Sequence, residues 1–180
     1  MSSIYDTIAV WSAGDFVEND IREYPSNSNQ YWYSLRDATS DSSTPTVGSV
    51  QWGGRTTFAI QSASNTTNVP EFIWTPSYNQ SAEISPRVLT VRFGDGYTQR
   101  TPDGINNNLL NLDLTFENRS EKEATAIAHF LNVRRGAEAF AYTPPSPYAT
   151  QKLFICKSFS STFVFNDNFT VSAKFEETPL

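Results

Sequence analysis

Leu110, Leu112, Leu114 and Phe116 alternate without a break with Asn111, Asp113 and Thr115. That period of two predicts a half-buried strand with the leucines facing inward. Ahead of it the apolar run Val88 to Phe93 ends in Gly94-Asp95-Gly96, a composition that reaches positive φ cheaply and predicts a tight turn. The pattern suggests that these two runs pair antiparallel around the corner Arg92 to Arg100. The period then lengthens. Ser120-Glu121-Lys122-Glu123 is a capping box, and Ala124, Ile127, Ala128 and Leu131 follow at helical spacing. Arg134 and Arg135 suit the negative end of the helix dipole and Gly136 a left-handed stop, so a helix is predicted over 121–135. His129 falls on its flank. Beyond it, Ala139 to Tyr142 is a short strand halted by Pro144-Pro145, and Lys152 to Phe159 and Phe163 to Glu176 read as two longer strands. Phe72 to Thr75 reads as a strand ended by Pro76, and Tyr78 to Ser85 as a loop. Residues 71–180 are thus expected to be mainly β, a β-sandwich or small barrel with one α-helix across it.

The amino-terminal part has a different texture. Trp11, Phe16, Tyr24, Tyr31, Trp32, Tyr33 and Trp52 are interleaved with Gly14-Asp15, Pro25 to Asn29 and a Ser/Thr-rich stretch from Thr39 to Thr46. Short strands between long turns are predicted, forming a small aromatic-rich all-β module over 1–61. Its aromatics pack on one another in place of disulfides. Ser62 to Asn68 is polar and without periodicity, which suggests a linker over 62–70.

Composition narrows the function. Thirteen basic residues against nineteen acidic ones give a net charge of −6, spread along the chain with no basic stripe, so nucleic acid is not an expected partner. Cys156 is the only cysteine, which excludes an intrachain disulfide or a thiolate metal site and suggests a core residue. No apolar run is long enough to span a bilayer and the start lacks a signal-peptide pattern, so synthesis in the cytoplasm without membrane insertion is expected. His129 is the only histidine. Ser120 is accounted for by capping, Ser172 by strand alternation, and Asp15, Glu18 and Asp20 by a solvated edge. Neither a phosphate-cradling glycine loop nor calcium-loop spacing around Asp95 is present. No catalytic, metal-binding or cofactor-binding residue is therefore assigned.

Turn chemistry does not account for Arg92, Tyr97 and Arg100 beside Asp95. Two guanidiniums and a phenol at one corner provide directional contacts suited to another protein surface. The run Val91-Arg92-Phe93-Gly94-Asp95-Gly96-Tyr97-Thr98-Gln99-Arg100-Thr101-Pro102, then Gly104 to Leu109, then Tyr142-Thr143-Pro144-Pro145 and Phe169 to Glu176 resembles the phage minor tail protein family in order and spacing. The resemblance implies a non-enzymatic virion protein at the distal end of the tail. It would form a hexameric ring between the tail tube and the distal hub proteins, with Arg92, Asp95, Tyr97, Arg100 and Tyr142 at the subunit or hub interface. More loosely, Trp11 to Val17, Tyr31 to Tyr33, Pro45 and Trp52 resemble small chitin-binding modules, implying contact of Trp11, Tyr31, Trp32 and Trp52 with a host-surface glycan. The alternative is a carbohydrate-binding adhesion protein whose carboxy-terminal domain only displays this module.

Overall fold

The computed structural model describes residues 8–59, 66–78, 80–165 and 167–179. Short strands build the first part: β1 (Gly14–Phe16), β2 (Ile21–Glu23), β3 (Tyr31–Ser34), β4 (Ala38–Asp41), β5 (Trp52–Gly53) and β6 (Arg55–Ala59). A β1–β4 pair lies beside a three-stranded sheet in the order β2-β3-β5. The stretch read as a linker is partly regular structure. Thr66–Pro70 forms β7, paired antiparallel with β6 from Arg55↔Pro70 to Ala59↔Thr66; residues 62–65 lie outside the described residues. The β-branched residues Thr66, Thr67 and Val69 are compatible with a ladder, and the β6 edge supplies the partner.

The body consists of β8 (Ser81–Ile84), β9 (Val88–Arg92), β10 (Thr98–Pro102), β11 (Leu110–Arg119), helix α1 (Glu121–Val133), β12 (Phe140–Tyr142), β13 (Lys152–Phe165) and β14 (Asn168–Glu177). The fold is mainly β, a curled five-stranded antiparallel sheet in the order β12-β13-β14-β11-β8 with one helix packed on it. Three local expectations are corrected. Ser81–Ile84, read as loop, is an edge strand on Leu110–Asp113 of β11. The run Val88–Arg92 pairs with β10 and not with β11, because the chain turns back on itself at Gly94–Gly96. The break expected after Phe159 is absent: β13 continues to Phe165 before β14 begins.

Helix and sheet enclose one aromatic core. Leu110, Leu112, Leu114 and Phe116 all point into it, as their alternation requires. Phe72 is its hub, with ring centroids 5.1–6.1 Å from Trp74, Phe116, Phe130, Phe140, Tyr142 and Phe175. Ser120 Oγ caps α1 by accepting from Glu123 N at 3.3 Å, while the Glu123 carboxylate pairs with Arg119 at 2.8 Å instead of reaching back. At the other end Arg135 and Gly136 both take positive φ.

Apolar and aromatic residues run almost all round α1: His129 and Phe130 are buried along with Ala124, Ile127 and Leu131. A helix buried on that much of its circumference needs a second cover, and the first unit supplies it. In β3 the side chains alternate: Trp32 packs with Phe16 and Trp52 in a small separate core, while Tyr33 enters the main one. Tyr33 Oη lies 3.1 Å from His129 Nδ1, Trp74 Nε1 donates to Asn19 Oδ1 at 2.9 Å, and Lys122 Nζ donates to Asp20 Oδ1 at 2.6 Å. The module thus shares the core of the body.

Candidate functional site

β9 and β10 form a two-stranded ribbon, an arm, that joins no other sheet among the described residues. At its base Arg87 N donates to Asn107 O and Asp103 N to Arg87 O, at 2.9 and 3.0 Å. At its tip Phe93 N donates to Tyr97 O at 2.8 Å across the turn, with Asp95 at φ 65° and Gly96 at φ 80°. The positive φ falls on Asp95, one of the few residue types that tolerate it, and on Gly96.

Register sorts the arm into two faces. Arg92↔Thr98, Thr90↔Arg100 and Val88↔Pro102 share one; Val91↔Gln99 and Leu89↔Thr101 share the other, which continues to Phe93 and Tyr97. The rings of Phe93 and Tyr97 lie 5.7 Å apart. Every described residue from 80 to 102 is exposed. Leu89, Val91, Phe93 and Tyr97 keep 56, 51, 48 and 67% of their surface in solvent. Four large apolar groups on one face of a free ribbon form an exposed patch of the sort that marks an interaction site. Arg92 and Arg100, on the opposite face, make no ion pair among the described residues.

Of the five interface residues expected from the sequence, the structure gathers Arg92, Asp95, Tyr97 and Arg100 on this arm and separates Tyr142 from them. Tyr142 is 3% exposed, wedged edge-on against Phe72 and Phe175. Its Oη is buried without a partner among the described residues, and burial pushes its phenol up to about 12. It also lines a hollow of about 410 Å³ with Glu71, Ile73 and Thr75.

The four residues assigned to a glycan share no open face. Trp32 and Trp52 are 4% and 1% exposed. Their indole Nε1 groups donate to Tyr24 O and Ser43 O at 2.9 and 3.1 Å. Neither ring has a face left for a sugar. Trp11 rests edge-on against Tyr24 and Tyr31 against His129, both half-buried.

Sequence reasoning missed two features. One is the polar junction where Tyr33 meets His129 and Arg134. Burial, and then the nearby Arg134 charge, depress the imidazole to about 4, while burial raises Tyr33 and lowers Arg134. Arg134 lies 4.0 Å over the Phe130 ring and donates to Phe130 O. The other is the far half of β13, whose phenylalanines lie in solvent; its signal in the sequence is an uncharged stretch, Ser158 to Phe165.

What this geometry offers is contact surface: an aromatic-tipped arm with unpaired guanidiniums held on a rigid β body. It defines the class as an assembly module. Residues 70–178 match the phage minor tail protein family, and the chain belongs to that family. It is accordingly a structural component of a phage tail. Tail tip protein M of Escherichia phage lambda is 36% identical over 106 residues, covering 59% of this chain and 94% of that protein. The arm and the whole five-stranded sheet lie inside the matched region; strands β1 to β6 lie before it.

Proposed function

We propose that the chain is a tail tip subunit that acts by contact rather than by catalysis. It assembles as a hexameric ring between the tail tube and the distal hub, with the first unit on the outside. The observation that carries this reading is the arm: apolar on one face, cationic on the other, and exposed along its whole length in a single copy. Such a surface costs solubility unless a partner covers it. Ring symmetry makes the contact heterologous, so that the arm meets a different patch on the neighbour. The similarity to a lambda tail tip protein supports placement at the tail tip.

The test is antibody labelling of intact particles with serum raised against the first unit, read by electron microscopy. Label in a collar at the distal end of the tail is the expected result. Unlabelled particles that mass spectrometry shows to lack the protein would overturn it.

A further inference from the structure

From Ser158 to Phe165, β13 reads Ser-Phe-Ser-Ser-Thr-Phe-Val-Phe, without a charge or a proline. β12 covers only Lys152 to Phe154, so beyond that point β13 is bonded to β14 on one side and to no strand among the described residues on the other. Phe159, Phe163, Val164 and Phe165 are 37, 64, 54 and 61% exposed. Edge strands in water are ordinarily blunted by lysine, proline or shortness. This one has the composition that pairs with an incoming strand. The arm is its counterpart: a two-stranded ribbon, marginal by itself, with both outer edges unpaired among the described residues.

The two surfaces sit at diagonally opposite corners of the sheet. The arm leaves the β8 edge, at the end where Ile84 meets Leu110. The bare part of β13 lies along the other edge, towards the end where Phe163 and Arg119 both meet Phe169. Their faces match. Phe159 and Phe163 pair with Ala173 and Phe169, on the side of the sheet that carries the core residue Val171. A strand of the arm added to this edge continues that apolar stripe with Leu89, Val91, Phe93 and Tyr97. Arg92 and Arg100 then fall on the outer face. Charges match as well. Carboxylates stand at the acceptor end: Glu121 and Asp167 meet at the start of α1, where Asp167 Oδ1 accepts from Glu121 N at 2.9 Å, and Glu117 lies exposed on β11. None of the three is ion-paired among the described residues.

We propose that the arm of one copy adds as a strand to the bare β13 edge of a second copy of this chain. Main-chain hydrogen bonds give this contact its strength, and the apolar stripe gives it register. Donor and acceptor are different surfaces, so the contact repeats head to tail, as a ring of identical subunits requires. The inference rests on the ring reading and names its joint.

The test uses the full chain with Val91→Cys or Phe163→Cys, both at exposed positions. The native Cys156 is 4% exposed and its thiol is pushed up to about 11 by burial, which keeps it inert. A bis-maleimide spanning two strand spacings, roughly 10 Å, is added to each variant alone and to their mixture. Far-UV circular dichroism confirms that the fold is kept, and native mass spectrometry reads the assembly. A cross-linked pair formed in the mixture and in neither variant alone is expected. The double variant Leu89→Asp/Val91→Asp is expected to lose both the oligomer and the cross-link. Cross-linking of Val91→Cys to itself would mean arm-to-arm pairing and overturn the proposal. An oligomer without the mixed cross-link would overturn the joint and leave the ring standing, and a monomer without it would also overturn the joint. Absence of the protein from purified tails would instead overturn the ring reading.

Discussion

His129 is a buried imidazole with Tyr33 Oη 3.1 Å from its Nδ1 and the ring of Tyr31 edge-on to it; burial first, and then the guanidinium of Arg134, oppose its charge. Protonated, it would face Arg134 with a second positive charge in a site closed to water. Its value falls from 6.5 in the unfolded chain to about 4 in the folded one. Below pH 6.5 the unfolded state therefore binds the proton first. This contribution is whole above pH 6.5 and is lost as pH falls towards 4, on the order of 3 kcal/mol in all. Urea midpoints measured at pH 7 and pH 4.5 are expected to differ more for the native chain than for His129→Gln; equal differences would show that His129 does not titrate against the fold. Trp32 calls for the same kind of accounting. Buried with Phe16 and Trp52, it holds the small core together, and Trp32→Ala is expected to cost about 3–5 kcal/mol. A thermal melt checks this, and a variant as stable as the native chain would return the ring to the surface and to ligand binding.

Helix α1 depends on its first turn. Ser120 Oγ satisfies one free amide, so Ser120→Ala is expected to lower stability by about 1 kcal/mol, read as a shift of the denaturation midpoint with an unchanged slope. This cap was legible in the sequence, as were the alternation of β11 and the Gly94-Asp95-Gly96 turn, because each is written in neighbouring residues. What was illegible depends on distant ones. Ser81-Ala82-Glu83-Ile84 has no strand pattern of its own and becomes β8 because β11 presents an open side to it. The partner of β9 was misjudged because pairing is decided by where the chain reverses, not by composition. Phe130 and His129 lie off the predicted apolar stripe and are buried because β3 and Trp74 cover the far side of the helix. At the arm, the sequence located Arg92, Asp95, Tyr97 and Arg100. It did not reveal that the same hairpin separates an apolar face from a basic one, which only the register shows.

Across the molecule, the family match and the core do not share a boundary. The match begins at residue 70, and 106 aligned residues account for 94% of the lambda protein, which leaves that protein little room for a counterpart of β1 to β6. Here, however, Tyr33 is fully buried in the main core, 5.0 Å from Trp74 and 5.9 Å from Phe130. The first unit is therefore both an addition to the family's shared region and a cover for its helix. A passenger module could be removed without consequence; a cover could not. A chain lacking residues 1–54 would open Trp74, His129 and Phe130 to water, and losing the Tyr33 contacts alone is expected to cost about 3–5 kcal/mol. The truncated chain should melt well below the full one and bind a hydrophobic dye, and Tyr33→Ala in the full chain should reproduce most of the loss. Equal melting temperatures for the truncated and full chains would show that the body closes its own core and that the first unit serves only contacts outside it.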